Sequence, residues 1–287
     1  MKYRFIDRYH GLYRVEKMCR ALQVGRSGYY RWKQHEKGRR TKENEALAME
    51  IREIHETNRQ VYGSPRITAE LRARGVRCGK NRVARLMREN GIQAKTKRRF
   101  KATTDSRHAH PVAANILDQD FSADRPNQVW TSDISYVWTK EGWLYLAVIL
   151  DIFNRKIVGW SMKSRLTRDL VVDAFTMAVR TQKPGHGVIF HSDRGSQYAS
   201  HDFRKQLEIF KFIQSMSGAG NCYDNSITET FFHTLKTELV YFERYRTRAE
   251  ARQSIFEYIE IFYNRRRRHS SLGYLSPVDF ERYIMAA

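Results

Sequence analysis

A chain of 287 residues that is 41% hydrophobic and 13% aromatic can build a core of roughly 150 residues plus one or two smaller modules, which excludes a disordered tail. It carries 52 Lys and Arg against 31 Asp and Glu, a net charge of +21. No run approaches the ~18 consecutive apolar residues of a membrane span, and the opening MKYRFIDRYHGLYR has no apolar signal-peptide segment, so a soluble, intracellular protein is expected and a membrane protein is not.

The charge is unevenly placed. Residues 1–100 hold 27 Lys and Arg against 10 Asp and Glu, a net +17, whereas residues 101–287 carry only +4. An electropositive module of this kind suits a polyanion, because neutralising phosphates releases condensed counterions. Cys19, Cys78 and Cys222 are far apart and odd in number, which argues against a disulfide framework and against zinc.

Residues 1–58 read as a helical region with a first helix-turn-helix, VEKMCRAL (15–22), QVGR, SGYYRWKQ (27–34), followed by a connecting helix over 41–58 with Leu47, Ile51 and Ile54 on one stripe. A second helix-turn-helix occupies residues 59–100, with ITAELRARG (67–75), VRCG and KNRVARLMREN (80–90), closed by Gly91 as a C-cap. Val83, Leu86 and Met87 share its last helix's inner face. Asn81, Arg82, Arg85 and Arg88 then point elsewhere, as a recognition helix presents side chains to a major groove; a plain hairpin with solvated arginines has the same pattern. Residues 101–126 hold Pro111 and Pro126 and little apolar periodicity, so an extended linker is expected.

From residue 127 strands take over. QVWTSDISYVW (128–138), WLYLAVILDIF (143–153) and KIVGWSM (156–162) predict an antiparallel meander. A helix over 168–182, a strand VIFHSD (188–193), a helix near 201–210, a strand FIQSM (212–216) and a helix over 226–241 follow. This order predicts an α/β ribonuclease-H-like core over 127–243, a five-stranded mixed sheet with helices on both faces, behind an all-α DNA-binding region. Residues 244–287 add a helix with the stripe Ile255, Phe256, Ile259, Phe262 and Tyr263, then a tail. The run Arg265–Arg268 suits a helix C-terminus and a phosphate equally well.

Asp133 lies inside the first strand and Asp193 ends the fourth, which in this fold is its neighbour. Two adjacent carboxylates repel, and a hard divalent cation, Mg²⁺ or Mn²⁺, resolves the repulsion. Glu229 sits early on the helix over 226–241, with Asn225 and Lys236 placed on the same face. Ser226-x-x-Glu229 also reads as a capping box, and Asp224 as an alternative N-cap. His191 falls on the strand face of Asp193, where it can orient, touch DNA or ligate a metal. Asp151, near Arg155, ends the second strand and reads as structural or as a further acidic contact.

The blocks TSDISY (131–136), HSDRGSQY (191–198) and YDNSITETFFHTLKTE (223–238), with 35 residues between Asp193 and Glu229, are joined by YGSPRI and YNRRRRHSSLGYLSP (263–277). Together they resemble the Asp-Asp-Glu transposases of the insertion-sequence-three family, specifically the downstream reading-frame product. Ser132, Ser135, Ser226 and Arg268 depart from the usual pattern without touching a carboxylate. The resemblance implies catalysis and metal binding by Asp133, Asp193 and Glu229. Two Mg²⁺ ions about 3.5–4 Å apart would serve an in-line displacement, with Mn²⁺ as a substitute. It further implies double-stranded DNA as partner, both terminal inverted repeats and target, contacted by Asn225 and Lys236 as well as the second helix-turn-helix. Homo-oligomers on paired ends, an upstream reading-frame partner or fusion, and a bacterial cytoplasm and nucleoid setting complete the expectation.

Overall fold

The computed structural model describes residues 1–34, 38–95, 112–218 and 222–286, without the side chains of Cys222 and Tyr223. Residues 101–111 of the expected linker and residues 219–221 of the SGAGNCYD loop lie outside the described residues.

Three short helices open the chain: α1 (Lys2–Tyr9), α2 (Val15–Ala21) and α3 (Arg26–Gln34). They enclose a small core of Ile6, Met18, Cys19 and Tyr29, and the Tyr29 hydroxyl donates to Asp7 Oδ1 at 3.0 Å. The sequence reading gave α2 and α3 and omitted α1, whose inner face rests on Ile6 with only partly buried tyrosines around it.

Helices α4 (Arg39–Thr57), α5 (Ser64–Ala73) and α6 (Lys80–Glu89) form a second unit. The Leu47, Ile51 and Ile54 stripe of α4 packs with Ile67 and Leu71 of α5 and Val83, Leu86 and Met87 of α6. The helix expected to connect two units is thus packed into the second one. Gly91 follows α6 at φ +67, the left-handed geometry of a C-terminal cap.

The five strands are β1 (Val129–Thr139), β2 (Gly142–Asp151), β3 (Ile157–Lys163), β4 (Ile189–Ser192) and β5 (Ile213–Met216), in the order β3-β2-β1-β4-β5. The first three pair antiparallel, and β4 adds parallel to β1 and to β5. One face carries α7 (Arg168–Gln182) and α8 (His201–Ile209) over Trp130, Phe175, Phe190 and Phe203. The other carries α9 (Ser226–Glu238) and α10 (Arg248–Phe256), which continues as a π-helical turn over Glu257–Tyr263. This is the ribonuclease-H-like sheet that the element order predicts. The last helix, α11 (Pro277–Ala286), has no counterpart in the sequence reading.

Two connections tie the units together. The face under α9 and α10 shares one hydrophobic cluster with α4–α6, where the ring of Tyr62 meets that of Phe262 at 6.4 Å. The Tyr62 hydroxyl donates to the Arg266 carbonyl at 3.1 Å and accepts from the Arg268 amide at 2.8 Å. Residues 112–126, read as linker, have no helix or strand but lie on the core. Ser215 Oγ accepts from the amides of Ile116 and Leu117, and Leu117 is buried with Val129 and Ile152. Isolated polar contacts of this kind leave no hydrophobic period in the sequence. Among the described residues no helix is long and apolar enough to cross a membrane.

Candidate active site

The parallel ladder between β1 and β4 ends on the pair Ser132 and Ser192. Asp133 and Asp193 are the next residues on each chain, so they stand beside one another where the strands part. Asp133 is half-buried and accepts from the Ile134 amide at 2.7 Å. Burial, then the neighbouring charge of Asp193, holds its carboxyl well above the usual range; Glu229 adds to the push and Lys236 opposes it. Asp193 Oδ1 accepts from the Gly195 amide at 2.9 Å. A Cβ at position 195 would stand 3.0 Å from that same oxygen, so the close turn favours glycine.

Behind the two aspartates lies a residue that the sequence reading quoted without singling out. Tyr198 is fully buried, and its hydroxyl shares a 2.8 Å hydrogen bond with Ser132 Oγ, which donates to the Val148 carbonyl. Burial, then Asp133 and Asp193, raises the phenol far above its ordinary value. Its only sequence signal was an aromatic closing a polar turn five residues after an aspartate.

Helix α9 brings Glu229. Its N-cap is Asn225, with no side-chain cap hydrogen bond, and Ser226 is already inside the helix. The capping-box explanation of Glu229 is therefore not realised, nor is Asp224 the cap. Thr228 Oγ1 donates to Thr131 Oγ1 at 2.8 Å, pinning the helix's first turn to the β1 face that carries Asp133. Glu229 itself is exposed, with its carboxyl raised by partial burial. Among the described residues no three acidic, histidine or cysteine side chains gather closely enough to hold an ion. The structure thus joins Asp133 to Asp193 and leaves Glu229 at the margin.

Lys236 is half-buried, its Nζ 5.5 Å from the centroid of the Tyr136 ring. Burial lowers the ammonium while Tyr136 and Asp133 raise it. Asn225, expected at a DNA surface, is instead buried; its amide donates to the Ser132 carbonyl at 3.1 Å. Its Oδ1 is buried without a hydrogen-bond partner among the described residues. On α6, Asn81, Arg85 and Arg88 are exposed, Arg85 pairing with Glu89 at 2.9 Å. Arg82 is turned toward α4, where it donates to Asn44 at 2.9 Å.

The remaining candidates are structural. His191 is fully buried between Ser215 Oγ (2.9 Å) and Ser217 Oγ (3.2 Å), and burial drops its pKa to about 4. Its two ring nitrogens thus tie β4 to β5 and the residue that follows it. Asp224 accepts from Asn115, Gln119 and the Gly218 amide, clasping residues 112–119 to the loop before α9. Asp151 accepts from the Asn127 and Phe153 amides, its pKa raised to about 6 by burial. In the arginine run, Arg267 is buried against Glu238 in a bidentate pair at 2.7 and 2.8 Å, and Arg268 binds Glu70 at 2.6 Å. Only Arg265 and Arg266 are exposed.

A ribonuclease-H-like sheet with two carboxylates paired at the β1–β4 junction is the architecture of the integrase-core class. Residues 123–222 match the family model of the integrase core domain, residues 229–284 a second integrase core domain model, and residues 42–100 an HTH-like domain. A 31 kDa protein of insertion element IS600 from Shigella sonnei is 49% identical over 94% of this chain and 100% of its own length. Transposase InsF for insertion sequence IS3A from Escherichia coli K12 is 43% identical over the whole of both chains. The trimeric form of the HTLV-2 integrase catalytic core domain, solved with magnesium, aligns with a TM-score of 0.41 and 15% identity over 55% of this chain and 97% of that one. The chain belongs to the IS3 family of insertion-sequence transposases, enzymes of DNA transposition and integration.

Proposed function

We propose that this transposase cleaves and joins phosphodiesters at the terminal inverted repeats of its insertion sequence, with Asp133, Asp193 and Glu229 as its acidic triad. The observation that carries the reading is the end of the β1–β4 ladder at Ser132 and Ser192, which sets Asp133 beside Asp193 at a repulsive cost. The donor set fits hard divalent cations, two Mg²⁺ per site with Mn²⁺ as substitute: carboxylate oxygens, a raised Asp133, and the buried Oδ1 of Asn225 beside β1, which has no hydrogen-bond partner among the described residues. Bound there, such ions supply Lewis acidity to the attacking and leaving oxygens of an in-line displacement at phosphorus.

The protein's own part is positional. Asp133 and Asp193 would hold the cations from the sheet and Glu229 would complete the set from α9, whose first turn is fixed by Thr228 on Thr131. Lys236 meets the phosphate backbone flanking the scissile bond. Asn225 fixes the β1 carbonyl before Asp133, so that strand and helix move as one. The exposed Asn81, Arg85 and Arg88 of α6 read the terminal repeat, while Arg82 braces the helix. Two or more copies on paired ends, with an upstream reading-frame product as partner or fusion, then act on target DNA in the bacterial cytoplasm and nucleoid.

The test is a strand-transfer assay with a precut terminal repeat and Mg²⁺. Asp133→Asn, Asp193→Asn and Glu229→Gln should each lower joining by at least a hundredfold while DNA binding survives. Hydrolysis without any joined product would make the chain a nuclease, and unchanged joining by Glu229→Gln would remove that residue from the triad.

A further inference from the structure

The carboxylate site uses only the inner half of the β1–β2 hairpin. Beyond Ser132, β1 has left β4 behind and continues to Thr139. On this outer half Tyr136 pairs across the hairpin with Tyr145, and Trp138 with Trp143. Trp143 packs edge-on against Trp138 at 4.8 Å and against Tyr136 at 4.9 Å. These are not core residues, since Trp138 is 59% and Trp143 41% exposed. Two exposed indoles side by side are costly to keep in water unless something covers them.

The surface is held in place. The Lys140 amide donates to the Tyr245 carbonyl at 3.1 Å, and Thr139 Oγ1 to the Gly142 carbonyl at 2.7 Å. Arg248 donates from its amide to Glu141 at 2.8 Å and from Nε to the Trp143 carbonyl at 3.0 Å. It is also continuous with the active site. Tyr136 and Trp138 fall on the sheet face opposite Asp133, and Lys236 of α9, whose Nζ lies over the Tyr136 ring, links the two faces around the open edge of β1. At the rise of a strand, Tyr136 and Trp138 stand about 10 and 17 Å along β1 from Asp133, roughly three to five base steps of a DNA strand.

We infer that Tyr136, Trp138 and Trp143 form a stacking platform for unpaired bases of the DNA end held at the carboxylates. The inference rests on the reading that this site cleaves and joins DNA. Aromatic faces accept any base, and a cation beside them offsets the attached phosphates. Lys140, Lys236 and Arg248 supply that charge around the platform. A second copy of this chain, itself at +21, would bring like charge to the same surface.

The experiment compares binding of the full chain to a blunt terminal-repeat duplex and to the same duplex with three to five unpaired bases at its end. The wild-type protein should prefer the unpaired end by roughly tenfold. Trp138→Ala/Trp143→Ala should lose that preference with blunt binding unchanged, and Trp138→Phe/Trp143→Phe should retain most of it. Trp138→Ala alone, at an already exposed position, serves if the double variant does not fold. Blunt binding without any preference for unpaired ends overturns the platform and leaves the triad standing; failure to bind either DNA overturns both. Loss of self-association in the double variant, with the preference intact, assigns the face to a second copy and overturns the inference.

Discussion

Asp133 shows how a side chain proposed for catalysis can be a structural liability. Its carboxyl titrates far above its unfolded value because burial and Asp193 both disfavour the charge. A carboxyl raised in this way binds more protons folded than unfolded, so its contribution to stability falls as pH rises from about 4 through the folded pKa. At neutral pH without divalent ions, Asp133→Asn should therefore raise stability, because it removes a buried charge that Asp193 repels. Chemical denaturation would measure it. Added Mg²⁺ should stabilise the wild type and leave the variant unmoved. The buried histidines have the opposite sign. His191 is lowered to about 4 by burial, and His269 is held well below its ordinary value by burial and by Arg267, Arg66 and Arg155. Both are neutral when folded and protonated when unfolded below about pH 6.5, so their share of stability is present above that pH and lost below it. The raised carboxyls of Asp133 and Asp151 act in the opposite direction over the same range, so the loss is read as the difference between wild type and His269→Gln in unfolding free energy at pH 7.5 and 5.5, the variant losing less on the descent.

Among the elements, α9 carries the greatest functional demand at its first turn and its firmest anchor at its last. Glu238 ends the helix and accepts from Arg267, from the Tyr258 hydroxyl at 2.7 Å and, at 3.4 Å, from Arg66 of α5. Removing one partner of a buried pair strands the other's charge. Arg267→Ala should cost about 3–5 kcal/mol in thermal or chemical unfolding, whereas Arg265→Ala, at an exposed position, should cost under about 0.5 kcal/mol. The sequence made the strands and most helices legible, because β-branched alternation and the Leu170-to-Ala178 stripe have distinct periods. It made Asp133 and Asp193 legible because a charge at a strand's interior or end is anomalous. It could not divide Arg265–Arg268 into one buried brace, one half-buried brace and two exposed cations, since four identical residues carry no pattern. Nor could it tell that Asn225 faces inward: that depends on where the loop before α9 meets β1. Asp224's hold on Asn115 and Gln119 spans over 100 residues and leaves no local trace.

At the scale of the whole molecule, the DNA-binding helices α4–α6 and the catalytic sheet are one packed body. Tyr62 and the Glu70–Arg268 pair close the seam, so the two should melt in a single calorimetric transition. Tyr62→Phe loses a donor and an acceptor at once and should cost about 1–3 kcal/mol; Tyr62→Ala, which also opens a cavity, should split the transition in two. The end of the β1–β4 ladder has a further consequence, in time and not in space. The β1–β2–β3 meander is made of local hairpins, whereas Val129 must meet Ile189, 60 residues along the chain, before Asp133 and Asp193 can adjoin. Distant pairings close slowly. Pulse-labelled hydrogen exchange during refolding should protect β1–β3 before β4, so that a chain still folding holds its two aspartates apart and assembles the paired carboxylates only as the sheet closes.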